Sequence, residues 1–202
     1  MTISRPLLAL AAALLVPHLL PAQACLAAPR TAPGWVGARV ARTSDHENLF
    51  GADAGFRVGS SVTIRAQGDH VAFDDQTPNR NRGLVGVVLG SRSSKLPVCF
   101  TASAMITKLG DLSVLTLPVG IAAGWEVPFQ EKGGRSSWTS YVEPRVAYRR
   151  ATLKGFHDTS APFSMVGGSG FNLGRMYAGA DVEWLPSEGH SWSVGLRAAV
   201  GF

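Results

Sequence analysis

The chain has 202 residues, with 19 Lys plus Arg against 14 Asp plus Glu, for a net charge of +5. Only 16% of its residues are charged while 46% are hydrophobic, which excludes a disordered chain, since disorder needs low hydrophobicity and high charge. Two cysteines are too few for a disulfide-built scaffold, and a small charge excess without any Lys/Arg run weighs against a nucleic-acid partner.

Residues 1–28 read as a secretory signal peptide and residues 29–202 as the exported domain. Arg5 supplies the positive start, 7–20 is almost wholly apolar, and Pro21 and small residues follow. Ala22-Gln23-Ala24 and Cys25-Leu26-Ala27 both fit a cleavage motif. The apolar run is shorter than the roughly 20 residues a spanning helix needs. Cys25 raises lipidation as an alternative, which Gln23 fits poorly; cleavage beyond Cys25 would leave Cys99 as the sole cysteine. No later stretch can span as a helix. The most apolar one, 114–125, is broken by Pro118, Gly120 and Gly124.

From residue 35 onward the period is two, the mark of strands with unlike faces. In chain order the apolar sets are Val36, Ala38, Val40; Ala52, Ala54, Phe56, Val58; and Val62, Ile64, Ala66. Residues 83–90 are apolar on both faces, then Val98, Phe100, Ala102, Ala104, Ile106 and Val119, Ile121, Ala123, Trp125, Val127 alternate again. Trp138, Val142, Val146, Tyr148 follow, then a Gly-rich stretch at 163–172. The last two sets are Met176, Ala178, Ala180, Val182, Trp184 and Trp192, Val194, Leu196, Ala198, Val200, Phe202. This predicts about ten strands, with eight as the alternative. Their length suits a tilted bilayer crossing.

With both termini at one end, the turns there fall at Gly59-Ser60-Ser61, 91–96, 128–137 and near 172–174. The opposite loops fall at 43–50, 69–82, 108–112, 154–162 and 185–190.

The intervening residues form a nearly charge-balanced set: Arg39, Arg57, Arg65, Arg145, Arg149 and Arg197 against Asp53, Glu126, Glu143, Asp181 and Glu183. Balanced charges suit a closed interior, where ions must pair to offset desolvation. An uncharged outer set on so many strands would aggregate in water but suits lipid. The expected fold is therefore all-β, a transmembrane antiparallel up-and-down barrel with these charges in its lumen. Trp35, Trp125, Trp138, Trp184, Trp192 and Phe202 are expected to form interfacial aromatic girdles. A soluble lipocalin-like carrier is the fold-level rival.

The leader, the serial amphipathic strands and a last strand closing on Phe202 resemble small bacterial outer-membrane β-barrel proteins. The resemblance implies the outer membrane of a Gram-negative cell and contact with outer-membrane lipid and lipopolysaccharide. It also implies recognition of the terminal strand by the barrel-assembly machinery. It implies no activity.

Chemistry on such a barrel is sparse. His46, His70, His157 and His190 are assigned to the outer loops beside Asp45, Glu47, Asp69, Asp74, Asp75, Asp158 and Glu188, without metal-ligand spacing. Arg80 and Arg82, beside Asn79 and Asn81, sit in the longest loop and are candidates for lipopolysaccharide phosphates. His157-Asp158-Thr159-Ser160 has one residue too many for the His-x-Ser pair of lipid A 3-O-deacylases, and Asp74-Asp75 with His190 match omptin proteases only in composition. No catalytic residue, metal or cofactor is assigned. Gly120, Gly124, Gly179, Gly195 and Gly201 are expected to make room for long inward side chains, and Cys99 to be an inert inward filler. The expectation is a non-enzymatic cell-envelope barrel for membrane integrity, surface binding or adhesion. The alternatives are a narrow porin-like channel and a lipid A- or peptide-cleaving barrel.

Overall fold

In a computed structural model of the chain, the described residues are 28–29, 31–44, 47–72, 80–90, 98–109, 111–129, 136–153, 156–186 and 191–202. They hold strands β1 Gly34–Thr43, β2 Asn48–Val58, β3 Val62–Ala72, β4 Arg80–Gly90, β5 Val98–Leu109 and β6 Leu112–Pro128. Then come β7 Ser136–Leu153, β8 Phe156–Ser160, β9 Phe163–Leu173, β10 Met176–Leu185 and β11 Ser191–Gly201. No helix occurs among the described residues.

Every pairing is antiparallel, and each strand pairs with its chain neighbours except β8 and β9, which both pair with β7. β1 also pairs with β11, from Trp35↔Gly201 to Thr43↔Ser193, and β6 with β7, so the sheet closes on itself with no free edge. β8 and β9 are one wall strand broken at Ala161-Pro162: Arg149↔Ser160 and Val146↔Phe163 lie in one register on β7, and Ala147 N–H donates to Pro162 O across the gap at 2.9 Å. The ring is therefore a closed antiparallel barrel of ten strands, the expected number.

Two prolines sit inside strands. A proline cannot donate to the ladder, and the pairing lapses beside each one without slipping. β5 and β6 are paired at Ala102↔Val119 and again at Met105↔Thr116, on either side of Pro118. β6 and β7 are paired at Gly120↔Arg145 and again at Ala123↔Val142, on either side of Pro144.

At the end where β1 begins and β11 finishes, here the base, the two turns among the described residues fall where expected. Gly59 has φ 64° between Val58 and Val62, and Gly174 has φ 68° in the two-residue link from Leu173 to Met176. Hairpins of this kind need a left-handed residue, which glycine adopts without Cβ strain.

At the opposite end, the rim, the strands run further than alternation alone indicated. β2 already begins at Asn48, β3 continues through Asp69 and His70 to Ala72, and β8 occupies most of the expected 154–162 loop. Residues assigned to loops there are ladder residues, because pairing continues after the outward face has lost its apolar character. Of the expected loop histidines, His70 and His157 are thus in strands, while His46 and His190, with Asp45, Asp74, Asp75 and Glu188, lie outside the described residues.

The outward face is apolar around the whole ring. Val40, Phe56, Ile64, Val85, Phe100, Ile121, Val146, Phe171, Val182 and Leu196, one from each ring strand, are all exposed, Ile121 at 55% and Leu196 at 58%. Between the two ends of the barrel the inward face carries the charges, while Arg42, Lys108 and Arg150 are exposed near the rim.

Candidate functional site

The lumen is the site, and its charges are brought together in pairs across the ring. Asp53 on β2 accepts both Nε, at 2.9 Å, and a terminal nitrogen of Arg197 on β11. Trp35 Nε1–H donates to the same carboxylate at 3.1 Å. Both ions are buried, so the three donors supply in protein what water would otherwise supply. Arg39 on β1 reaches Asp181 on β10 at 3.4 Å, across β11. On β7, Glu143 and Arg145 share one inward face two residues apart and form a fork, with Nε–Oε1 and Nη2–Oε2 both at 2.8 Å. Thr101 donates to Glu143, and Arg145 also lies 3.8 Å from Glu183 on β10.

The other expected lumen residues are placed as follows. Arg57 lies at the base, donating to Ala32 O at 2.8 Å with its guanidinium 5.6 Å from the Trp35 ring centre. Glu126 accepts from Ser137, also near the base. Arg65 and Arg149 line the cavity described below; the Arg65 Nε is buried without a hydrogen-bond partner.

One pair escaped the sequence reading. Arg82 on β4 holds Asp69 on β3 through Nε at 2.9 Å and Nη2 at 2.5 Å, with Gln67 Nε2 donating to the same oxygen at 2.8 Å. Alternation alone assigns both ions to the 69–82 loop. The signal was present, since Thr63, Arg65, Gln67, Asp69 and Val71 continue one inward parity. His70 takes the outward parity and pairs with Asn81 at 3.0 Å, and His157 meets Thr152 at 3.2 Å. No cluster of three metal-ligating side chains occurs among the described residues.

Of the aromatic residues expected on the outer face, one needs correction. Trp184 and Trp192 face each other in register on the exposed surface, and Phe202 is exposed at the base. Trp125 and Trp138 meet edge to face at 6.2 Å near the base. Trp35 does not join them: it is 1% exposed, inside the lumen on Asp53 and Arg57. Its parity with Gly37 and Arg39 requires this, since one strand presents alternate residues to one face.

The glycines of the inner wall explain how rings lie flat there. A Cβ on Gly55 would collide with the Trp35 ring, one on Gly168 with Tyr141, and one on Gly179 with the Tyr177 hydroxyl. A Cβ on Gly120 would sit 2.9 Å from both Arg145 Cγ and Glu143 Oε1, and one on Gly195 3.1 Å from Asp181. Gly201 differs from the expectation: its neighbours are Ala32 and Pro29 of the amino-terminal segment. At Gly124 the conflict is with the backbone of Ser140 and Tyr141. Cys99 also differs. It is fully buried, as a filler would be, but it is disulfide-bonded.

A cavity of about 730 Å³ occupies the lumen. Its wall runs from Arg65, Tyr177 and Arg197 at the floor to Thr43, Glu47 and Leu185 at the rim. Below that floor the inward side chains Trp35, Cys99, Ala122, Thr139, Asn172 and Ala199 are buried and line no part of it. Among the described residues, the lumen is a charged cavity that reaches the rim strands and is packed with side chains at the base.

Fold and lumen together define a closed, up-and-down antiparallel β-barrel with an apolar exterior and an ion-paired interior. Among solved structures, it is similar to the N-terminal β-barrel domain of Pseudomonas aeruginosa OprF, at 12% identity and a TM-score of 0.37, covering 84% of this chain and 96% of that one. The barrel rests on the strand pairing above rather than on that likeness. The chain matches no family model, and no curated protein matches it.

Proposed function

We propose that this chain is an outer-membrane barrel protein of a Gram-negative envelope, exported on a cleaved leader, with a non-enzymatic role in membrane integrity or surface binding. The observation that carries this reading is the continuous apolar belt on a closed barrel. Each large apolar side chain transferred from water to lipid contributes on the order of 1.5–3 kcal/mol, so a belt drawn from ten strands favours lipid by tens of kcal/mol. A monomer in water rarely exposes more than a few hundred Å² of contiguous apolar surface. Lipid and lipopolysaccharide are then its lateral partners, and the terminal strand to Phe202 its handle for assembly.

Within that reading the cavity favours binding at the surface over passage. A porin-like path would need an open base, and the base is occupied by packed side chains. Fractionation combined with a heat-modifiability gel tests the reading: the protein is expected with the outer membrane, and its unheated band is expected to migrate differently from the boiled one. Recovery in osmotic-shock fluid, or one band under both conditions, would overturn it in favour of a soluble carrier. In planar bilayers the purified barrel is expected to pass no stepwise current; steady open-channel steps would favour the porin-like alternative.

A further inference from the structure

We infer that the lumen binds a small organic carboxylate, held by Arg65 and laid against the uncharged wall of β4 and β5. The inference deepens the binding role proposed above and rests on it.

Four lumen arginines are matched to acids. Asp53 serves Arg197, Asp181 serves Arg39, Asp69 serves Arg82 and Glu143 serves Arg145. Arg65 on β3 belongs to none of these pairs. Among the described residues it makes no hydrogen bond or ion pair, and its Nε is buried. Its charged neighbours are Arg197, Arg145 and Asp53. The two arginines repel it, and Asp53 already accepts from Arg197 and Trp35. On its other side no help is available, because β4 and β5 contain no acidic residue at all. A charge taken from bulk water is tolerated where a counter-ion and hydrogen-bond partners replace its hydration. Water in the cavity can solvate the guanidinium but brings no counter-charge. Arg65 lines the cavity, so an anionic solute can bring one.

The wall beside Arg65 fits the same occupant. In register, Arg65 lies opposite Gly86 on β4, and Gly86 lies opposite Ser103 on β5. The position next to Arg65 therefore carries no side chain, and the one after it carries a short hydroxyl. Two residues along the same inward faces stand Leu84, Val88 and Met105, all lining the cavity. A cation, a ledge and an apolar margin together select a ligand with one negative end and a short apolar body. The flat fork of a guanidinium pairs with a carboxylate through two parallel hydrogen bonds. One unmatched cation offsets one charge, so a carboxylate suits it better than a phosphate dianion. The cavity, about 730 Å³, falls within the roughly 300–1,000 Å³ of small-molecule sites.

The arrangement has a consequence for stability that a structural arginine would not share. A cation without a counter-ion opposes folding of the unliganded barrel, so removing Arg65 strengthens the fold while it weakens binding. That opposition is the pattern of a residue retained for function.

Full-length protein is expressed with its leader, and the folded barrel is reconstituted in phosphatidylcholine vesicles. Uptake of radiolabelled hexanoate is measured by equilibrium dialysis against empty vesicles, and stability by urea unfolding. Wild type is expected to take up hexanoate saturably, at a single site, with weak competition from inorganic phosphate and none from hexanol or hexylamine. Arg65→Met is expected to weaken uptake at least about tenfold, the loss of charge-assisted hydrogen bonds, and Arg65→Lys by a smaller factor. Ser103→Leu, which fills the ledge and leaves the charge, is expected to weaken uptake several-fold. Without hexanoate, Arg65→Met is expected to unfold at higher urea than wild type; hexanoate is expected to raise the midpoint of wild type only. Unsaturable uptake, uptake undiminished in Arg65→Met and Ser103→Leu, displacement by hexanol, stronger binding of phosphate than of hexanoate, or an Arg65→Met barrel that unfolds at lower urea or fails to fold would each overturn the inference. Fractionation decides the outer-membrane reading separately: a barrel found in the outer membrane that takes up no hexanoate loses this site and keeps its location.

Discussion

Replacing Asp53 by Ala leaves Arg197 and the Trp35 N–H in the lumen with their shared acceptor gone. Arg197 retains 8% exposure, too little for water to take over the lost contacts. Removing one partner of a buried pair costs about 3–5 kcal/mol, chiefly because a charge remains buried and unmatched. The orphaned indole donor belongs to the same loss, so Asp53→Ala is expected at the upper end of that range. Asp53→Asn keeps an acceptor for Trp35 and removes only the charge, so it is expected to cost less. Asp53→Ala combined with Arg197→Met removes both ions, and replacing a whole pair by apolar groups is close to neutral. The assay is urea unfolding of the barrel in lipid vesicles, followed by Trp fluorescence and by the fraction of the unheated gel band. A double variant that loses the sum of both single losses would refute the coupling, as would an Asp53→Ala loss below about 1 kcal/mol.

Other perturbations probe the two faces separately. Leu196→Arg places a charge in the middle of the belt and is expected to cost about 2–4 kcal/mol in the same unfolding assay; a silent variant would favour water over lipid outside. Gly55→Ala drives a methyl into the Trp35 ring, while Gly68→Ala meets nothing within 4 Å. The first is expected to lose about 1–3 kcal/mol through overpacking and the second almost nothing, and equal losses would remove the flat-ring account of the inner wall. Deleting Phe202 is expected to reduce the amount of folded barrel in the outer membrane several-fold without changing the stability of what does assemble, read by quantitative gel and by unfolding; unchanged accumulation would remove its role as an assembly handle.

The faces were legible in the sequence because period two survives any error in strand ends. Leu196 and Ile121 point outward and Arg145 and Asp181 inward, as their parity requires. The strand ends were less legible at the rim. Past Gly68, β3 alternates polar with polar, so Asp69 and His70 read as a loop although the ladder continues to Ala72. Pro162 hid β8 in the same way, by looking like the end of a strand that resumes in register. Partners were not legible either. Arg39 reaches Asp181 across an intervening strand, and that depends on side-chain length and barrel curvature, which alternation does not encode. Trp35 differs for another reason: its residue type suggests the lipid interface, but its parity with Gly37 and Arg39 turns it inward onto Asp53.

The contents of the lumen follow from its width. Eight strands enclose a space that side chains just fill, so ten leave a surplus that must be packed or left open. At the base it is packed: Trp35 lies against Gly55 and Tyr177 against Gly179, and Ala28, ahead of β1, joins both rings in one buried cluster. Toward the rim no described side chain fills the surplus, and its wall carries ions that mostly satisfy one another. A solute entering from the rim meets a wall whose charges are nearly cancelled and a floor made of Arg197, Tyr177 and Arg65. Cancelled charges give little long-range steering and no net selectivity for a permeating ion. Placed donors and acceptors in a closed recess are what fixes a bound ligand in one orientation. The Asp53 and Arg197 pair stands where the lined half of the lumen meets the packed one, and that placement is what supports the proposed binding role over passage.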